Sequence, residues 1–172
     1  MAAGLELPKR LFVLGWWTRD GQKISKSVGN MIDPLDVVQK YGVDPTRYFV
    51  LSEMPFGNDG DFSDTAFQNR VNSTLANEVG NLAMRTLSMA VKNCEGRVPL
   101  PVGAQGEGRG VAKIGGGGLD IVRPLVGETQ QLHKALDAIL QVSRNANKYV
   151  DVQAPWVLKK TDPERMKTVL WV

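Results

Sequence analysis

Along residues 63 to 93, Phe67, Val71, Leu75, Val79, Leu82, Leu87 and Ala90 return at intervals of three to five. At about 100° per residue this spacing gathers them on one side of a long amphipathic helix, with Ser63 as its capping candidate. A second stripe begins near Leu125 and runs through Leu132, Leu136, Ile139, Leu140, Ala146 and Val150. Between them GRVPLPVGAQGEGRGVAKIGGGG, residues 96–118, carries two prolines and a run of four glycines. That much backbone freedom predicts a flexible excursion between two helices.

Shorter helices are marked by Asp-Pro pairs. Asp33-Pro34 opens LDVVQKY and stops at Gly42, Asp44-Pro45 opens TRYFVLSE and stops before Pro55, and Asp162-Pro163 opens ERMKTVLWV. In each the aspartate suits a cap, and proline takes a first-turn place where its missing N–H costs nothing. PFGNDGDF, residues 55–62, reads as a turn-rich connector.

Before these helices the pattern differs. Leu11 to Leu14 (LFVL) is an unbroken apolar run, the signature of a strand buried on both faces in a parallel sheet. No comparable strand follows, so its partners are expected outside these residues. The fold class that results is mainly α: a remnant strand and loop, then an antiparallel helix bundle.

Composition narrows the picture. With 42% apolar residues in 172, the chain can bury a core, and a net charge of +3 is too small to predict a polyanion partner from bulk charge. One cysteine, Cys94, excludes an internal disulfide and a cysteine-rich zinc site within these residues, which fits a reducing setting. The opening MAAGLELPKR lacks the apolar core of a signal peptide, and no run approaches a membrane span. His133, the one histidine, sits at the border of a helix stripe and is not expected to serve a metal or a triad, and Asp59 and Asp61 lack the rest of a calcium loop.

Two constellations carry candidate chemistry. KISKSVGN, residues 23–30, sets Lys23 and Lys26 among Ser25 and Ser27, between Asp20-Gly21 and Gly29. Ammonium groups, hydroxyls and loop N–H groups together suit phosphate, although the glycine spacing of a P-loop is absent. A solvated surface turn is the alternative. The second is Asn77, Asn81 and Arg85, which at about 200° to 280° from Leu75 lie away from the apolar stripe. Amides and a guanidinium in a row can read base edges, and equally can be a solvated helix face. Asn147, inside the second stripe, reads as a buried structural amide.

WWTRDGQKISKSVGNMIDPLDVVQKYGVDPTRYF resembles the KMSKS region of class I aminoacyl-tRNA synthetases, most closely that of the methionyl-tRNA synthetases. The similarity continues through PFGNDGDFS, ANEVGNLAMR and NKYVDVQAPW, covering about residues 5–95 and 125–172. It implies a ligase that activates methionine with ATP, Mg²⁺ accompanying the nucleotide, and passes it to tRNA(Met). Lys23, Ser25, Lys26 and Ser27 then fall on the ATP-phosphate loop, with Lys26 the main contact, Lys23 assisting and Ile24 where methionine is common. Asn77, Asn81, Arg85 and Trp156 fall on the reader of the CAU anticodon, Trp156 by stacking on a base. No metal site is implied within these residues.

The resemblance divides the chain into the end of a Rossmann-type catalytic domain, 1–62, with the remnant strand and signature loop, and an incomplete helical anticodon-binding domain, 63–172. It places the half with the HIGH motif and the methionine pocket outside these residues, so the isolated piece is expected to be inactive. Leu14 stands where the family usually has histidine. The expected location is cytoplasmic, or an organelle matrix; the oligomeric state is unread. A tRNA-binding module without activity is the rival of a different class, and a synthetase for another apolar amino acid is a weaker one.

Overall fold

The computed structural model describes residues 4, 6–13, 15–55, 57–100 and 107–172, with side chains for all of these except 107–116. Its sheet is small. Strand β1 (Trp17–Arg19) turns through Asp20 and Gly21, with φ of 52° and 78°, into the antiparallel β2 (Gln22–Lys23). Two successive positive φ values are what a two-residue hairpin requires, and the Asp-Gly pair supplies them at little cost. On its other edge β1 pairs in parallel with β3 (Gly60–Phe62), in the register Trp17 to Gly60 and Arg19 to Phe62.

The crossover between β1 and β3 contains α1 (Pro34–Tyr41) and α2 (Val43–Glu53). Asp33 caps α1 by accepting the Leu35 N–H. The capping expectation for Asp44 is corrected. Gly42, at φ 89°, ends α1 and starts α2 with no connector, which places Asp44 inside the first turn. There its charge meets the helix dipole instead of capping an N–H.

These elements enclose an aromatic core. Phe49 from α2 and Phe67 from α3 (Asp64–Val71) are fully buried with ring centroids 4.9 Å apart. Tyr41 stacks on Phe67 at 4.0 Å, Phe62 meets Phe49 edge-on at 5.7 Å, and Trp17 closes the cluster. Such tilted and edge-on rings contribute about 0.5–1.5 kcal/mol per pair beyond area burial.

Ser63 caps the long helix as expected, accepting the Ala66 N–H. The helix is not uniform: α3 passes into a π-helical segment (Asn72–Gly80) and then α4 (Asn81–Asn93). The Asn81 N–H reaches the carbonyl of Ala76, five residues back. A wider turn advances each residue by less than 100°, so the phase shifts before α4 begins. Leu87, placed on the apolar stripe by its sequence, is 64% exposed, and its α4 neighbours Met84 and Val91 are exposed with it. Leu75 and Leu82 remain partly buried.

Beyond it, α5 (Glu107–Gly127) packs along α6 (Leu132–Gln153), followed by α7 (Pro155–Thr161) and α8 (Pro163–Trp171), which Asp162 caps. Residues 107–118 therefore correct the expectation of irregular backbone over 96–118; residues 101–106 of that stretch lie outside the described residues. Extending a formed helix costs only a propensity penalty of about 1 kcal/mol per glycine, far less than starting a new one. Leu125 ends α5 instead of beginning α6, and α6 buries Ala135, Leu140 and Val150 while Ile139 stays exposed.

Two further expectations change. Leu11, Phe12 and Val13 form no strand and are exposed, since no neighbouring strand among the described residues pairs with them; Leu14 lies outside those residues. Gly60–Phe62, read as connector, is the strand that pairs with β1. Gly15 and Asn58 meet just ahead of that pairing: a Cβ on Gly15 would stand 2.0 Å from the Asn58 carbonyl oxygen, so only glycine fits.

Candidate functional site

The lysine loop leaves β2 and is folded on itself. The Asn30 side chain bridges it, its Oδ1 accepting the Ser25 N–H at 2.9 Å and its Nδ2 donating to the Lys23 carbonyl at 3.1 Å. Ser25 Oγ meets Ser27 Oγ at 2.8 Å and accepts the Val28 N–H at 3.3 Å. Gly29, at φ 73°, donates its N–H to the Lys26 carbonyl. The two lysines differ. Lys23 Nζ sits 3.6 Å above the Trp16 ring, a cation–π contact, whereas the exposed Lys26 ammonium has no partner among the described residues.

β1 holds the loop's base in place. Asp61 Oδ1 accepts the Thr18 hydroxyl at 2.6 Å and the Gly21 N–H at 2.8 Å, and Asp59 Oδ1 accepts the Trp16 N–H at 2.7 Å. The DGD carboxylates are thus ties between strand ends. A mobile ammonium beside hydroxyls and backbone donors can neutralise phosphate charge.

A separate open cleft of about 440 Å³ lies between the π-helical segment, α4 and α6. Asn77, Asn81 and Arg85 line it from one side, Arg144, Asn147, Lys148 and Asp151 from the other. The side-chain amides of Asn77 and Asn81 are exposed and have no hydrogen-bond partner among the described residues. Arg85 is engaged: its guanidinium donates to Asp151 Oδ1 at 2.5 Å, and its centre stands 5.3 Å from the Trp156 ring. Trp156 follows the buried Pro155, and Ala154 makes the turn into α7 at φ 44°. That left-handed residue swings the indole back beside α4.

Across the cleft, Arg144 pairs with Glu78 at 3.0 Å and Asp137 at 2.8 Å. Asn147 Nδ2 donates to the Glu78 carbonyl at 2.8 Å and to the Ser143 carbonyl at 3.2 Å. Asn147 is therefore a tie between helices, as its place in the stripe predicts. With Arg85, Arg144 and Lys148 set against Glu78 and Asp151, the cleft has nearly balanced charge. It is better suited to hydrogen-bonded discrimination than to gripping a phosphate chain.

The structure thus gathers Asn77, Asn81, Arg85 and Trp156 into one place, and Lys23, Ser25, Lys26 and Ser27 into another; none of the loop residues lines the cleft. Asn30 and Asp151 escaped sequence reasoning. Asn30 sits in an unremarkable Gly-Asn turn, and Asp151 meets Arg85 across 66 positions, a pairing no local spacing reveals. His133 is partly buried within α6, and Cys94 ends α4. Among the described residues no helix is long and apolar enough to cross a membrane.

Residues 1–87 match the family model described as tRNA synthetases class I (M). The methionine–tRNA ligase of Brucella suis is 49% identical over 172 residues, covering all of this chain and 33% of the relative. That of Mycobacterium tuberculosis is 47% identical over 176 residues, covering all of this chain and 34% of the relative. The matches run across the glycine-rich stretch as well, and the chain spans about a third of the length of the curated relatives it matches. Among solved structures, M. tuberculosis methionyl-tRNA synthetase in complex with methionyl-adenylate superposes with a TM-score of 0.89 at 46% identity, over 98% of this chain and 34% of that one. Its apo form gives 0.84 at 42% identity, over 98% and 33%. With half its residues inside the family model and both its sequence and its fold shared end to end with methionine enzymes, the chain belongs to the class I tRNA synthetases of group M.

Proposed function

We propose that these residues supply the ATP-phosphate loop and part of the anticodon reader of a methionine–tRNA ligase. Residues 1–62 form the end of its catalytic domain and 63–172 part of its helical anticodon-binding domain. The substrates are methionine, ATP with Mg²⁺, and tRNA(Met). Methionine's carboxylate displaces pyrophosphate from ATP, and the terminal ribose of the tRNA then displaces AMP from the adenylate. Lys26, with Lys23 assisting, stabilises the negative charge that grows on the leaving pyrophosphate, and Ser25 and Ser27 shape the loop around it.

The observation that carries the tRNA half is the pair of exposed, unpartnered amides on Asn77 and Asn81, lining one cleft with an arginine that stands against the Trp156 indole. Amides without internal partners are free to read a base edge, and a half-exposed indole can stack on an unpaired base. A solvated face would carry the amides, but would have no reason to place Arg85 and Trp156 beside them.

The test uses RNA hairpins carrying a CAU loop or a scrambled loop, titrated against this chain at one salt concentration. CAU is expected to bind at least tenfold tighter, about 1.4 kcal/mol, and Trp156→Ala to remove most of that preference. Equal affinity for both loops would sink the reading, because phosphate contacts are common to the two.

A further inference from the structure

We infer that Asn30 is a positioning residue for the lysine loop, fixing which donors that loop can offer a phosphate. The inference rests on the phosphate reading of residues 23–27. One half-buried amide joins the loop's two strands: its oxygen takes the Ser25 N–H and its nitrogen holds the Lys23 carbonyl, at 2.9 and 3.1 Å. An asparagine is the shortest side chain that presents an acceptor and a donor on separate atoms, so it can satisfy an N–H and a carbonyl in one span.

The consequence lies in what remains. The N–H groups of Ser25, Val28 and Gly29 are consumed inside the loop, by Asn30 Oδ1, Ser25 Oγ and the Lys26 carbonyl. The N–H groups of Lys26 and Ser27, consecutive along the chain, have no acceptor among the described residues. Lys23 is occupied by the Trp16 ring, so the unengaged ammonium is that of Lys26. Two adjacent backbone donors beside one mobile cation make a concavity suited to an anion, and the Asn30 bridge keeps the loop closed so that this set stays together. Without the bridge the Ser25 N–H and Lys23 carbonyl turn to water, and the loop must be ordered at the moment of reaction.

The experiment is methionine-dependent ATP–pyrophosphate exchange by the full-length synthetase carrying these residues, with amide hydrogen exchange at Ser25 measured alongside. Asn30→Ala is expected to lower kcat about tenfold, the worth of one or two net hydrogen bonds. It should leave the KM for methionine within about twofold and raise Ser25 exchange by a similar factor. If Asn30→Ala does not fold, Asn30→Asp serves in its place: it keeps an acceptor for Ser25 and loses the donor to Lys23, so protection persists while kcat falls. Normal kcat in the variant that folds overturns the inference, as does a fall in kcat from Asn30→Ala with unchanged Ser25 exchange. Lys26→Ala separates the two readings. If it too exchanges normally, the phosphate role of the loop fails and takes that of Asn30 with it; if it is slow while Asn30→Ala is normal, only the Asn30 role fails.

Discussion

Asp64 illustrates how single residues tie this chain together and how the tie depends on pH. Its carboxylate accepts from Lys40 Nζ at 2.7 Å and from the Tyr41 hydroxyl at 2.6 Å, linking the end of α1 to the start of α3. The Lys40 hydrogen bond, then that of Tyr41, holds the Asp64 carboxyl below the usual carboxylate range, while Asp64 raises Lys40. A depressed carboxylate stabilises the fold fully above its unfolded pKa, and the contribution disappears as pH falls through the lower folded value. The raised lysine contributes below its ordinary pKa and loses that contribution as pH climbs through the raised one. Both are fully present at neutral pH. Urea midpoints of the parent and Asp64→Asn chains are therefore expected to differ at neutral pH and to converge in strong acid, once pH has fallen through the depressed Asp64 value. The difference should shrink in high salt, because both partners are exposed. A gap that persists in strong acid would show that Asp64 acts through something other than its charge.

Among the elements, the π-helical segment decides the shape of the cleft. Its wide turns carry Asn77 and lead into Asn81, and its Glu78 carbonyl is held by Asn147 from α6. A π turn packs and hydrogen-bonds less favourably than an α turn, so it persists where neighbours support it. Removing that support with Asn147→Ala leaves the Glu78 carbonyl short of a partner in a half-buried place. A loss of about 1–2 kcal/mol is expected, or a fall of about 2–8 °C in Tm for a chain of this length. Differential scanning calorimetry measures it. On the proposed anticodon reading, Asn147→Ala should also weaken CAU preference by more than the stability change explains, since the amide ridge would lose its phase. A variant as stable and as selective as the parent would remove Asn147 from this role.

At the scale of the whole molecule, the aromatic core and the helical bundle are continuous. α2 carries Phe49 into the core and also packs against α6, and the helix that buries Phe67 goes on to line the cleft. Phe49 is where the molecule is least tolerant: with no exposed surface at all, its truncation to alanine is expected to cost about 3–5 kcal/mol. Denaturant unfolding followed by tryptophan fluorescence should report both regions lost together. The loop and the cleft lie on different elements, and the chain spans about a third of its curated relatives. On the proposed reading, the 172 residues alone are expected to bind CAU hairpins yet to give no pyrophosphate exchange, because the nucleotide would be held by residues outside them. Exchange by the isolated chain would mean that the nucleotide site is contained in it.

Much of this was legible along the sequence, and for local reasons. Caps at Asp33, Ser63 and Asp162, the Asp20-Gly21 hairpin turn and the apolar periods depend on residues a few positions apart, so spacing alone predicts them. The lysine loop and the asparagine ridge were visible for the same reason. Four features were decided only in three dimensions: the strand at Gly60–Phe62, the fate of Leu11–Val13, the exposure of Leu87, and the meeting of Arg85 with Asp151 and Trp156. Each depends on a partner far along the chain, or on one absent among the described residues. A strand exists only where a neighbour accepts its hydrogen bonds, and an apolar helix face is buried only where another element covers it. Local chemistry thus set the elements and the candidate groups, while long-range packing set which of those groups face one another.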